Sequence, residues 1–198
     1  MPSRAAIPLV LAALSVCAQV IEFESKGLRY QTLTRNGVTV MFAHMPAHVR
    51  EYAILQVAVS NGSGTAYLIR PEDFTYVRGD GVVLRASPAR NVVEELIAKG
   101  NRGDVVGLVS TYEASLYGLS RMRSTNGYEQ RRQAALAEVS STRLKAAAAA
   151  SAIALVSTRL AAGQSTDGAV FFPNDGKPLT AGRLVVKNSA GEFAFNPE

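Results

Sequence analysis

The sequence predicts a mainly β protein with a helical insertion, an α+β arrangement in which two separated strand segments build one domain. Three observations predict it. Residues 19–86 and 158–198 are short apolar runs cut by glycine, asparagine and proline turns. Residues 87–157 change to helical spacing. The order is strands, helices, strands, which differs from the alternation that builds parallel sheets. Each strand segment is too small to close a core alone. Together they are expected to complete one β-sandwich, with about three helices packed on a face or end of it.

The chain begins with a segment of another kind. Arg4 supplies a positive charge, Ala5 to Val16 are almost wholly apolar, and Val16-Cys17-Ala18 places small residues at a cleavage position. Residues 1–18 therefore read as a secretory signal peptide, with processing between Ala18 and Gln19. The run is shorter than the roughly 20 residues of a permanent span. Ala146 to Val156, the next apolar stretch, is mostly alanine and lies between Lys145 and Arg159. The mature chain is thus expected to be exported, periplasmic or secreted, with no transmembrane segment. Leu14-Ser15-Val16-Cys17 resembles the lipobox of bacterial lipoproteins, except that the position before the cysteine is the bulky Val16. Lipid anchoring through Cys17 is the alternative. Cys17 is the only cysteine, so on either path the folded domain relies on its core rather than on disulfides.

Residues 19–198 suit a single domain. At 47% hydrophobic and 19% charged, the chain is too apolar to be disordered. A net charge of +5 suits weak attraction to anionic surfaces. It lacks the dense basic character of a nucleic-acid binder.

In the first strand segment, Arg29 to Thr34 and Val38 to Phe42 flank Asn36-Gly37, a hairpin signal. Tyr52 to Ser60 runs to the breaker cluster Asn61-Gly62-Ser63-Gly64. Ala66 to Ile69 stops before Pro71. Phe74 to Arg78 and Val82 to Arg85 surround Gly79-Asp80-Gly81. In the insertion, Ser87-Pro88 suits a helix start, and Val92, Val93, Leu96 and Ile97 share one face before Gly100. Asp104 is a second plausible cap, ahead of Val105, Leu108, Val109, Tyr112 and Leu116. Asn126 with Glu129 fits the start of a third helix, rich in strong helix formers and running to about Ala150, about 35 Å in length. Its alanines would let it lie close against another surface. In the last segment, Gly168 to Phe172 ends at Pro173, Asn174-Asp175-Gly176 turns, and Arg183 to Val186 pairs with Glu192 to Phe195.

Three stretches carry a family resemblance. Gln56-Val57-Ala58-Val59-Ser60-Asn61-Gly62-Ser63 looks like a strand ending in Asn and a small polar turn. Arg70-Pro71-Glu72-Asp73-Phe74 is similar to a turn that delivers a core Phe. Leu160 to Ser165 with Gly168 to Pro173 resembles a late strand ending in an aromatic residue and proline, with Ala162 in place of a usual proline. Together these resemble the immunoglobulin-like β-sandwich domains of bacterial exported proteins and lipoproteins of unknown function. The resemblance covers the strand segments and not the insertion. It implies a fold and transfers no catalytic residue, because these domains share no chemistry.

Catalytic patterns are sparse. His44 and His48 are the only histidines. Their spacing suits two metal ligands on one helix face, but Pro46 disfavours that helix and no nearby ligand completes a set before Glu51. They are read as part of a polar loop, and no metal or cofactor is expected. No nucleophile elbow or phosphate loop is present. The strongest binding candidates are Arg121, Arg123, Asn126, Arg131 and Arg132. Arginine offers paired planar donors to carboxylates and phosphates, and a helix start favours anions. The competing reading is a capped helix whose arginines bridge to Glu113, Glu129 or Glu138. The sequence thus points to a non-enzymatic module binding another envelope protein or an anionic surface through its insertion. The rivals are an envelope enzyme at the helix–sandwich junction, using Tyr112, Glu113 or Tyr128, and a structural accessory whose helices only cover the sheet.

Overall fold

The computed structural model describes residues 19–25, 27–118 and 141–196, with 112–118 described by their backbone. The chain is mainly β. Strands β1 (Ile21–Ser25), β2 (Leu28–Arg35), β3 (Val38–Val49), β4 (Tyr52–Asn61) and β9 (Ser165–Pro173) form an antiparallel sheet in the order β1-β2-β3-β4-β9. Strands β6 (Phe74–Arg78), β7 (Val83–Arg85), β10 (Gly182–Asn188) and β11 (Gly191–Ala194) form a second, in the order β11-β10-β6-β7. Strands β5 (Tyr67–Ile69) and β8 (Thr158–Leu160) pair separately. Helices α1 (Ala89–Lys99), α2 (Arg102–Gly118) and α3 (Thr142–Ile153) lie between the two strand segments in sequence.

Turn chemistry explains the pairing. Asn36 and Gly37 have φ of 50° and 76°, the positive pair a two-residue hairpin turn needs, and β2 and β3 close around them with Arg35 opposite Val38. Strand β1 is an element that turn signals alone did not locate. Ile21, Phe23 and Ser25 alternate with Glu22 and Glu24, which is strand periodicity, and Gly27 turns the chain back into β2.

Two cores lie on the two faces of the five-stranded sheet. On one face Val40, Phe42, Leu55, Val57, Val170 and Phe172 meet Phe74, Tyr76, Leu184, Val186 and Phe193 of the second sheet. On the other, Tyr30, Tyr52, Ile54 and Phe171 meet Val92, Leu96 and Leu108 of the helices, with the α3 alanines Ala146, Ala147, Ala149 and Ala150. The helices therefore cover a face of the sheet, and the α3 alanines let it pack on α1 and α2.

Three details of the insertion differ from the sequence expectation. Ser87 does not cap α1. Its N–H bonds the Phe171 carbonyl, tying the helix entry to β9, and Pro88 takes the cap position. Asp104 is not the cap of α2 but the reciprocal partner of one. The Asn101 side chain accepts from the Asp104 N–H at 3.1 Å, and the Asp104 carboxylate accepts from the Asn101 N–H at 2.8 Å. Nor does one helix run unbroken to Ala150. Ser141 is extended, with φ −88° and ψ 131°, and α3 starts after it.

The chain leaving α3 crosses β9 at very close range. The Leu155 N–H bonds the Ala169 carbonyl at 2.9 Å. A Cβ added at Gly168 would stand 2.5 Å from the Leu155 nitrogen. Gly168→Ala should therefore destabilise the protein by about 2–3 kcal/mol, because the obstacle is backbone and cannot rotate away. Urea denaturation checks this, and a loss below about 0.5 kcal/mol would contradict it.

Candidate functional site

The sequence-predicted binding residues Arg121, Arg123, Asn126, Arg131 and Arg132 lie outside the described residues, as do Ala18, Cys17 and Tyr128. Gln19, the expected new N-terminus, is described and exposed. The described residues offer three places where polar groups gather.

The first is the junction of helices and sheet. Arg50 occupies the β3–β4 turn with φ 53°. Its guanidinium donates to the Lys99 carbonyl at 3.0 Å and reaches Glu95 at 3.4 Å and Asp104 at 3.5 Å. One cation thus closes the C-terminus of α1, where positive charge is favoured, and holds the first turn of α2. Among the described side chains of the junction, Arg50, Glu95 and Asp104 are engaged with one another. Arg50→Gln should cost about 1.5–3 kcal/mol, the range for charged hydrogen bonds, measured as a lower denaturation midpoint. An unchanged midpoint would remove Arg50 from this role.

The second is a cleft at the end of the five-stranded sheet. The expected polar loop at His44 and His48 is instead a continuation of β3 to Val49, with a register shift between the two histidines. Pro46 has no N–H to give a ladder, so the strand bulges there. Pairing of β2 with β3 also stops at Tyr30 and Ala43. The strands splay and leave a cavity of about 340 Å³, walled by Phe42, Pro46, Ile54 and Leu179, with Arg29, Gln31 and His44 as its polar groups. The His44 ring meets Phe42 edge-on at 5.7 Å and Tyr76 at 5.6 Å. Partial desolvation of the ring between these neighbours lowers its pKa from the ordinary imidazole value, while the residue as a whole stays exposed at the sheet surface. Among the described residues no group of three or more His, Cys, Asp or Glu is arranged to hold a metal ion.

The third is the outer face of the four-stranded sheet. Alternation sends Phe74, Tyr76, Leu184 and Val186 to the core and turns Thr75, Val77, Arg183, Val185 and Lys187 outward. Register places Arg183 opposite Val77 and Val77 opposite Val83, with Val185, Thr75 and Arg85 in the adjacent row. A shallow groove of about 540 Å³ runs over this face. Two of its cations are neutralised. Arg70 pairs with Asp73 at 2.9 Å and Lys187 with Glu192 at 3.1 Å. Arg85 and Arg183 have no ion pair among the described residues, and Val83 is 57% exposed. Sequence reading missed this face. Its signal was available in the alternation Arg183, Val185, Lys187 beside a four-residue apolar set.

Burial also sets the alkaline limit of the fold. Desolvation raises the phenols of Tyr52 and Tyr76 to about 12, with Glu95 adding repulsion at Tyr52. Their protons are held more tightly folded than unfolded, where the value is near 10. Stability from this source is complete below about pH 10 and is lost as pH rises towards 12. A denaturation midpoint followed from pH 8 to 11.5 should fall only above 10. Tyr76→Phe should flatten that fall, at the cost of the hydrogen bond to the Thr180 carbonyl.

No helix among the described residues is long and apolar enough to cross a membrane. No protein-family model, curated protein or solved structure matches the chain.

Proposed function

We propose that this chain is an exported, non-enzymatic interaction module of the cell envelope, built on an immunoglobulin-like β-sandwich. Its outer sheet face receives an acidic, extended segment of a partner protein. The observation that carries this reading is the pair of guanidiniums without an ion pair among the described residues, Arg85 and Arg183, beside exposed Val83, half-buried Val77 and Val185, which its neighbours cover. Val83, 57% exposed, gains little from burial in the fold itself. Arginine over apolar surface is the composition that recognises carboxylates and excludes water around them. Export rests on the charge, apolar run and small-residue cut site of residues 1–18.

A second surface is supported by a separate observation. The insertion leaves Ile97, Val106, Val109 and Leu144 exposed, more than a layer that only shields a sheet requires. The arginine-rich segment of residues 121–132 belongs to the same insertion.

The double variant Arg85→Glu/Arg183→Glu tests the reading. Binding to an immobilised peptide of alternating glutamate and valine should weaken at least about fivefold, as two exposed charge contacts of up to about 1 kcal/mol each imply, and should lose its salt dependence. The melting temperature should stay within a few degrees, since both side chains are at the surface. Unchanged binding would sink the assignment to this face and leave the insertion as the contact surface. An N-terminus at Met1 in a secretion-competent host would sink export.

A further inference from the structure

The cleft beside the β3 bulge has a different character from the outer face. It is a half-open recess with Phe42 and aliphatic side chains on its walls, and its polar groups do not satisfy one another. Arg29 is exposed at the rim. Glu24 stands opposite it in the β1–β2 register, yet no ion pair joins them. Gln31 differs, because its amide N–H is committed to the Glu22 carboxylate. His44 lies edge-on to Phe42 and Tyr76 at the exposed rim. Arg29 is the one Arg, Lys, Asp or Glu of the lining, at the mouth of the recess. The volume is at the small end of ligand-sized pockets.

We propose that this cleft binds a small amphipathic carboxylic acid, its apolar body against Phe42, Pro46 and Leu179 and its carboxylate on the Arg29 guanidinium. The planar fork of arginine suits two carboxylate oxygens. The opening lies where β3 bulges at Pro46 and pairing is interrupted, and the turn at Gly27 and the segment with Pro178 and Leu179 complete its wall. An amine is disfavoured, since its cation would sit against Arg29. An uncharged alcohol would gain only the apolar wall.

Titration of the full chain with octanoate, octylamine and octanol, followed by isothermal calorimetry and amide chemical shifts, decides the matter. Octanoate should bind more tightly than the other two and shift the amides of Arg29, His44 and Leu179. Arg29→Gln should weaken octanoate about tenfold, the effect of losing one charge-assisted pair, and leave octanol unchanged. Arg29→Lys should restore part of the loss. Because Arg29 is exposed, both variants should melt with the parent chain. No octanoate binding up to 10 mM (roughly, the limit of weak site binding), octylamine binding as tight as octanoate, or an Arg29→Gln variant that binds normally would each overturn the proposal.

Discussion

Strand β4 has almost no solvent-facing side, and the architecture follows from that constraint. Nine of its ten residues are buried. Leu55, Val57 and Val59 require cover from one direction, and Tyr52, Ile54 and Ala58 from the other. A strand so apolar is stable only as the middle of three layers. The four-stranded sheet supplies one cover and the helices the other. The same demand explains why the insertion sits between the strand segments. The chain must leave the sheets to build the helical layer and return to deliver β9, which is buried on both faces beside β4.

The two covers are attached differently. The second sheet is held by large interlocking side chains, with Phe42 and Phe195 edge-on at 4.9 Å and Tyr76 and Phe172 at 6.1 Å. The helical layer is held by small residues at close range and by a few directed bonds. Arg50 fastens the α1 and α2 ends to the β3–β4 turn, and Ser87 and Leu155 fasten the layer's entry and exit to β9. Gln56, buried on this side, has an amide nitrogen with no partner among the described residues, as does the Tyr30 hydroxyl. An unmade bond of this kind costs about 1–3 kcal/mol. The second sheet has one such atom among the described residues, the Asn188 amide nitrogen, against two on the helix side.

The strands were legible because turns announce them. Asn36-Gly37, Asn61-Gly62 and Asn174-Asp175-Gly176 stand at strand boundaries, and Asn61 also ties its turn by bonding the Thr65 and Leu160 carbonyls. The layering was less legible. Alternation marks a strand with one wet face, and β4 has none, so its sequence carries little trace of which residues meet helices. The extension of β3 through Pro46 was hidden for a related reason. Proline is read as a strand terminator, whereas here the missing N–H is absorbed by a bulge. The exchange between Asn101 and Asp104 was misassigned because either residue type can cap, and only geometry tells cap from partner.

The candidate sites sit where the packing rules are relaxed. At the bulge, β3 gives up pairing with β2 and register with β4, and the two faces of the sheet open into one recess. On the outer face of the small sheet, alternation is kept but the outward positions are filled with valine and arginine instead of uniformly polar residues. Neither departure is what packing alone would select. Val83 stays 57% exposed and gains little from burial, and broken pairing forfeits ladder bonds. A chain that satisfies β4 so completely, yet leaves these two surfaces unfinished, directs the search for its activity to them.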